Sequence, residues 1–258
     1  MKRSRIPWVT TAAVLAFFYL PIAALVLKSF NAARFTPEWQ GFTMQWYARL
    51  FQRADILAAL ANSLKVAAIA AAASMVVGTC AAFAMHRHRS RLQDAHRAMV
   101  HVPLVLPDIL MGMSLLLLFI ALGVSLSLAT VTIAHITFCI SYVALVVLAR
   151  LQDFDPNLVE AARDLGATRF EAFRKITLPV IFPGILAGGL LAFTLSIDDY
   201  VVTFFVKGPG ADTLPTLVYS MIKKSRELPV INALSTLMLL FTFALVFASQ
   251  RLLAPVKQ

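Results

Sequence analysis

Long stretches without a charged side chain limit this chain more than any other feature of its sequence. Four of them cover residues 6–27, 66–85, 176–197 and 228–250, and a fifth, 109–149, is about twice as long. About 20 apolar residues allow a helix to cross the hydrocarbon core of a bilayer. Since 60% of the residues are hydrophobic, 14% are charged and the mean hydropathy is +0.79, we predict an all-α, polytopic membrane protein rather than a soluble fold.

The number of spans follows from dividing the longest apolar stretch. Gly123 and Ser127 bound a segment suited to a turn, so this stretch is predicted to form two helices joined by a short loop. The six predicted spans cover residues 6–28, 57–85, 98–122, 128–149, 177–206 and 229–250. The whole chain, 1–258, is predicted to be one transmembrane domain.

Lysine and arginine predict the orientation of these spans, because cytoplasmic loops are enriched in both. The basic residues of the N-terminus, of the loops 86–97 and 150–175 and of the C-terminal tail fall on one side of a six-span protein; among them are Lys2, Arg3, Arg5, Arg87, Arg89, Arg91, Arg97, Arg251 and Lys257. Both termini are therefore predicted to be cytoplasmic, although the opposite loops also contain some basic residues. Anionic membrane lipid is the expected partner of this charge, and no nucleic-acid partner is predicted.

Two further segments have patterns that predict where they lie or how they pack. Tryptophan and tyrosine in the segment 29–55 favour a short helix at the outer membrane surface. Gly184 and Gly188 have the GxxxG spacing that lets helices approach closely.

The loop 153–178 carries the clearest local pattern in the sequence. Asp155 and Pro156 form a helix start, and Gly166 is suited to end that helix. Thr168 and Glu171 have the spacing of a capping box for a second helix. Apolar residues can share one face on each helix, so the loop is predicted to be two short helices around a glycine bend, with a surface on which another protein docks.

The same loop resembles the EAA motif of ABC importer permeases. The string EAARDLGATRFEAFRKITLP contains every marked residue of that motif: Glu160, Ala161, Ala162, Gly166, Ile176, Leu178 and Pro179. The resemblance implies the type I ABC importer permease fold, with this loop coupling the membrane helices to a separate ATP-hydrolysing subunit.

Other segments resemble the second permease subunit of spermidine/putrescine importers. They include LVLPDILMGMSLLLLF, AHITFCISYVALVVLARL and TLSIDDYVVTFFVKGPGADTLP, and the resemblance covers most of the chain. It implies polyamine import across the bacterial inner membrane by an assembly with two related permease chains, two copies of an ATPase and a periplasmic polyamine-binding protein.

The sequence shows no catalytic apparatus. None of the ten glycines precedes a lysine, so the phosphate-binding GxxxxGK[ST] loop is missing and ATP and Mg²⁺ are expected on the partner ATPase. His86, His88 and His96 stand among arginines, which predicts a solvated basic loop rather than a metal site. His101 and His135 lie in apolar sequence and are interpreted as hydrogen-bonded packing residues.

Acidic residues inside apolar sequence are the candidates for a substrate pathway, because a carboxylate in hydrocarbon is costly unless it faces protein or water. Asp108 lies about ten residues into the third predicted span, roughly 15 Å deep in a straight helix; it could instead cap a helix that resumes after Pro107. Adjacent helical residues point about 100° apart, so one of Asp198 and Asp199 is expected to face the pathway. We favour Asp198, with Asp199 as an interhelical partner.

Aromatic side chains near these carboxylates could hold a methylene-rich cation. Tyr142 and Tyr200 are predicted for this role, with Phe204 and Phe205 as further candidates, and ordinary packing is the alternative for each. Three other functions stay open: import of a different solute, ion-coupled secondary transport with Asp108 or Asp198 binding the ion, and an assembly factor without a transport path.

Overall fold

The structure is a computed structural model that describes residues 6–34, 38–87, 93–224 and 228–253. Several basic residues used to predict the orientation lie outside the described residues: Lys2, Arg3, Arg5, Arg89, Arg91 and Lys257. His88 of the predicted basic loop lies outside them as well. Apart from one isolated bridge between Asn31 and Phe42, the described regular structure is helical, which confirms the all-α prediction.

The described helices are numbered here in chain order. They are α1 (Ile6–Ser29), α2 (Gln45–Gln52), α3 (Ala54–Arg87), α4 (Gln93–Val105), α5 (Asp108–Ala121), α6 (Leu128–Gln152), α7 (Asn157–Asp164), α8 (Arg169–Ala172), α9 (Leu178–Asp198), α10 (Val201–Val206), α11 (Leu214–Lys224) and α12 (Leu228–Leu253). A π-helical turn, Phe173–Thr177, joins α8 to α9.

Five helical segments are long and apolar enough to cross a membrane. They are Trp8–Ser29, Ala54–Arg87, Leu128–Gln152, Arg169–Asp198 and Leu228–Phe247. The one remaining predicted span, the third, corresponds to α4 and α5 taken together. The prediction of a polytopic membrane protein is therefore confirmed, with the six-span count depending on this pair forming one span.

The third predicted span, 98–122, is not a straight helix. Its two halves, α4 and α5, meet at an angle of 113° around Leu106 and Pro107. Proline at 107 disfavours a helical conformation for the residue before it and cannot donate a backbone hydrogen bond. The depth of 15 Å predicted for Asp108 assumed a straight helix and does not follow from this geometry.

The fifth predicted span, 177–206, is also interrupted. The helix α9 ends at Asp198, and Asp199 has an extended backbone with φ −68° and ψ 128°. The short helix α10 then begins at Val201. An acidic pair therefore lies at a helix break rather than within a continuous helix.

The chain forms two compact units, and the predicted single domain over 1–258 stays a prediction. The first unit is Met1–Leu57 with Leu217–Thr242, and the second is Ala58–Thr216 with Phe243–Gln258.

In the first unit, Asn31 organises the segment before α2. Its carbonyl accepts from Trp46 Nε1 at 2.7 Å, and its side chain bonds to the Glu38 carbonyl and the Gln40 amide. The predicted short helix of this segment is present as α2.

The second unit is built around α6, which is buried along much of its length. Glycines let α9 lie close to it: a Cβ at Gly188 would be 3.1 Å from Val143 Cα, and one at Gly184 would be 2.5 Å from Arg150 Cγ. The GxxxG spacing therefore lets α9 pack closely on α6 within this chain, which is the close helix approach that this spacing predicted.

Candidate functional site

One cavity brings together all five residues that the sequence analysis predicted for a substrate pathway. Its volume is about 370 Å³, and its lining includes Asp108, Tyr142, Asp198, Asp199 and Tyr200. These residues come from α5, α6, the end of α9 and the break before α10, and all belong to the second unit. We call this space the acidic cavity. Its role as a pathway stays a prediction.

Asp108 reaches the acidic cavity because the chain bends sharply before it. It is the first residue of α5, where the partial positive charge of the helix N-terminus favours a carboxylate. Pro107 occupies the N-cap position, and no side chain caps this helix by a hydrogen bond. The alternative that Asp108 is the N-cap is therefore wrong, and its carboxyl group is exposed.

Asp199 has a different environment, in which it organises the start of α10. Its Oδ2 accepts hydrogen bonds from the Thr203 backbone N–H at 2.8 Å and from the Thr203 hydroxyl at 2.7 Å. Its Oδ1 accepts from the Val202 N–H at 3.3 Å. Asp199 thus satisfies amides at the N-terminus of α10 that have no partner within the helix.

The imidazole of His135 on α6 connects Asp199 to α9. His135 is completely buried, and its Nε2 lies 3.3 Å from Asp199 Oδ2 and 2.9 Å from Thr203 Oγ1. Its Nδ1 lies 2.7 Å from the hydroxyl of Ser196. Because carboxylate oxygen only accepts, the network requires a proton on Nε2. The interpretation of His135 as a hydrogen-bonded packing residue is confirmed, and Asp199 is the interhelical partner that the sequence predicted.

The charge of the acidic cavity has one sign. Asp108, Asp198 and Asp199 contribute carboxylates, and none of the described residues in the lining is basic. Asp199 is the least exposed of the three, whereas Asp108 and Asp198 are exposed. The cavity is therefore suited to a cation and opposed to an anion.

Aromatic rings form part of the same lining. Phe138 and Tyr142 project from α6, and Tyr200 follows the acidic pair. Tyr200 also lies 5.7 Å from Phe204, measured between ring centroids. Phe204 and Phe205 are not among the described lining residues of the acidic cavity, and Phe205 instead contacts α5 at Gly112.

The loop 153–178 has the predicted form of two helices around a glycine bend. Asp155 Oδ1 accepts from the Asn157 N–H at 2.9 Å, and α7 starts at Asn157 rather than at Pro156. Gly166 follows α7 with φ +89°, a conformation that disfavours other residues. Thr168 and Glu171 then form the capping box of α8, with hydrogen bonds of 3.2 and 2.9 Å.

This loop is attached on one side and leaves apolar side chains exposed on another. Ala172 is buried, and Phe173 packs edge to face on Phe83 of α3, with ring centroids 5.1 Å apart. Leu165 and Phe170 are 91% and 69% exposed. Of the motif residues, Glu160, Ala161 and Pro179 are exposed, Ala162 and Ile176 are half-buried, and Leu178 packs against the core. A loop with this exposed surface is suited to docking.

Sequence analysis missed the contribution of Thr203 and Ser196 to the site. Both are buried hydroxyls that bind His135. Neither stands out in the sequence, since single serine and threonine residues are common in apolar helices. The available signal was the buried polar group itself, because His135 in an apolar span requires partners.

Comparison with known proteins gives consistent results for sequence and structure. Residues 74–257 match the family described as binding-protein-dependent transport system inner membrane component. Over 238 residues the chain is 42% identical to the spermidine/putrescine transport system permease protein PotC of Escherichia coli (strain K12), covering 92% of this chain and 90% of that protein. It is 44% identical over 244 residues to the putrescine transport system permease protein PotI of the same strain, covering 91% and 86%.

Among solved structures, the chain resembles one from a bacterial alginate ABC transporter in complex with an alginate pentasaccharide-bound periplasmic protein. The TM-score is 0.74 at 17% sequence identity, and the match covers 97% of this chain and 93% of that chain. At this identity the likeness concerns the fold alone.

Proposed function

The chain belongs to the family of binding-protein-dependent transport system inner membrane components, and from its similarity to spermidine/putrescine and putrescine permeases we propose that it is the permease subunit of an ATP-driven importer of polyamines such as spermidine and putrescine. The likeness in structure to ABC transporter chains confirms the predicted type I permease fold. The chain is thus a multi-pass inner membrane protein. In the proposed orientation, both termini are cytoplasmic.

The acidic cavity is the observation that supports a cationic substrate. A polyamine is a flexible chain of ammonium groups separated by methylene groups. Carboxylates on α5 and at the end of α9 could receive successive ammonium groups, while the rings of Tyr142 and Tyr200 contact the methylene segments. Relatives at 42% and 44% identity are named as spermidine/putrescine and putrescine permeases, which agrees with this chemistry.

The proposed source of motion is a partner chain. ATP and Mg²⁺ would bind to an ATPase present in two copies, because this sequence lacks a phosphate-binding loop. Closure of the ATPase would move the loop 153–178, and the rigid capping box and glycine bend would transmit that movement to α9. A second, related permease chain would complete the pathway, and a periplasmic polyamine-binding protein would deliver the substrate.

Replacing single carboxylates by amides tests the cationic pathway. Asp108→Asn and Asp198→Asn keep the size of the side chain but remove its charge, so each should lower uptake of radiolabelled spermidine and putrescine at least about tenfold, equivalent to about 1.4 kcal/mol. Uptake is measured in a strain that lacks the native chain, and co-purification of the ATPase reports whether the complex assembles.

Asp94→Asn is the matched control for this experiment. Asp94 is exposed on α4 and is not among the described lining residues of the acidic cavity, so its substitution should leave uptake unchanged. Full uptake by both Asp108→Asn and Asp198→Asn would contradict a cationic pathway. It would leave the permease assignment intact, since that rests on the family.

A further inference from the structure

A second cavity lies at the C-terminal ends of α3 and α6 and along α4, and it shares no described lining residue with the acidic cavity. Its volume is about 420 Å³, and its polar lining consists of His86, Gln93, Arg97, His101 and Gln152. None of the described lining residues is acidic. We call it the basic cavity. Because Arg97 is always protonated, the basic cavity would repel a polyamine and attract an anion.

The lining of the basic cavity is a regular stripe on α4. Gln93, Arg97 and His101 follow one another at intervals of four residues and therefore share one face of the helix. His101 Nδ1 lies 2.7 Å from the Arg97 carbonyl, to which it donates, so its Nε2 is the nitrogen left for a ligand. An anion can accept a hydrogen bond from Nε2 when that nitrogen also carries a proton.

An apolar groove adjoins the basic cavity. Its volume is about 360 Å³, and its lining includes the small side chains of Ala81 and Ala84 on α3 and the side chains of Met99 and Val100 on α4. Met85 and Gln93 line both spaces. Gln93 Nε2 donates to the Met85 carbonyl at 2.7 Å, which joins the two helices at the boundary.

A basic cavity beside an apolar groove matches an amphiphile with an anionic head and hydrocarbon chains. The helix α4 has no buried residue, and Met99 and Val105 are 74% and 82% exposed. The basic cavity begins in the last turn of α3, a helix long and apolar enough to span the membrane. A lipid has the same arrangement, with its charged head at the membrane surface and its hydrocarbon chains directed into the membrane.

We propose that this place is a binding site for one anionic phospholipid of the cytoplasmic leaflet. The phosphate of the lipid would contact Arg97, His86 and His101, and an acyl chain would lie along Ala81, Ala84 and Met99. The proposal goes beyond substrate transport and does not depend on the substrate, and its choice of leaflet rests on the orientation given under the proposed function. A soluble phosphate compound would use the basic cavity alone and leave the groove empty.

Lipid retention by the purified, assembled transporter containing the full chain tests this site. Native mass spectrometry compares phosphatidylglycerol with phosphatidylcholine carrying the same acyl chains. The wild-type complex should retain phosphatidylglycerol preferentially. Arg97→Gln should lower that retention about fivefold, the factor equivalent to about 1 kcal/mol for one basic residue near an anionic surface. Arg97→Lys should keep most of it.

Control variants distinguish a loss of lipid binding at this site from a general effect of charge or of misfolding. Arg87→Gln removes a nearby cation that lies over the Phe83 ring and does not line the basic cavity, so retention should stay at the wild-type level. Ala84→Trp should fill the groove and lower retention, whereas Ala95→Trp, at an exposed position outside both linings, should not.

Three results would overturn the proposal. The first is equal retention of phosphatidylglycerol and phosphatidylcholine by the wild-type complex. The second is wild-type retention by both Arg97→Gln and Ala84→Trp. The third is displacement of phosphatidylglycerol by glycerol 1-phosphate at equal concentration, because a head group alone would then account for the binding and the apolar groove would contribute nothing.

Discussion

At the scale of single residues, the acidic pair at the end of α9 divides two tasks between adjacent carboxylates. Asp199 binds two amides and a hydroxyl of α10 and lies beside the imidazole of His135. A helix of six residues such as α10 is not stable by itself. Asp199 therefore holds the helix break in shape, and Asp198 is the more exposed of the two carboxylates in the cavity.

This division predicts different effects on stability. Asp199→Ala leaves buried donors without an acceptor and should lower the free energy of unfolding by about 1–3 kcal/mol. Asp199→Asn keeps an acceptor oxygen for α10 and should cost less. Asp198→Asn is the comparison at the more exposed carboxylate, and it should cost less stability than Asp199→Ala. Thermal unfolding of the purified complex in detergent measures all three, and equal losses for Asp198→Asn and Asp199→Ala would contradict the division.

Part of the arrangement around the acidic pair could be predicted from the sequence. The angle of about 100° between neighbouring helical residues predicted that one carboxylate of the pair would face the pathway and the other would be an interhelical partner; both line the acidic cavity, and the interhelical contact of Asp199 is present. It could not identify the partner of Asp199, since His135 lies on another helix and the pairing depends on how α6 packs against α9. That packing depends in turn on the close approach at Gly188.

At the scale of elements, helix interruptions determine where the acidic residues lie. The positions of the apolar spans could be predicted from hydropathy alone. The size of the bend before Asp108, 113°, and the break after Asp198 could not, because hydropathy does not distinguish a bent helix from a straight one. Pro107 indicated a disturbance there, but the direction of the chain after proline depends on tertiary packing.

The loop 153–178 was predictable in detail because its pattern is local. Capping boxes and glycine helix ends are decided by residues within one or two turns. The structure has both, at Thr168 and at Gly166. The docking partner of this loop could not be predicted in the same way, since an exposed apolar surface favours docking but does not identify the protein that docks.

Replacing Gly166 by valine should weaken coupling while leaving the chain in the membrane. The φ of +89° is strained for a β-branched residue and costs about 1–2 kcal/mol, and the loss arises from the backbone because no atom lies within 4 Å of a Cβ at this position. We expect lower uptake and less co-purified ATPase at an unchanged membrane level. Gly123→Val is the matched control, with φ +66° in an open turn outside this loop. Normal uptake by Gly166→Val would count against a coupling role.

At the scale of the whole molecule, the chain combines the acidic cavity with a loop that exposes apolar side chains, and its sequence contains no phosphate-binding GxxxxGK[ST] loop. The acidic cavity and the loop 153–178 both belong to the second unit, and α9 connects the loop to the cavity directly. A movement imposed on the loop can therefore reach Asp198 along one helix. This continuity is a physical basis for driving the cavity from outside the chain.

The energy source of uptake distinguishes an ATP-driven importer from ion-coupled transport. In vesicles with the assembled transporter, trapped ATP and externally added binding protein, polyamine uptake should persist when an uncoupler collapses the proton gradient. It should stop when a non-hydrolysable analogue replaces ATP, because in the proposed function the ATP-driven closure of a partner ATPase moves the loop 153–178. Vesicles containing the Gly166→Val chain serve as the coupling-deficient control. If uptake instead collapses with the uncoupler at constant ATP, the carboxylates at Asp108 and Asp198 would be ion sites of a secondary transporter, and the proposed dependence on a partner ATPase would be wrong.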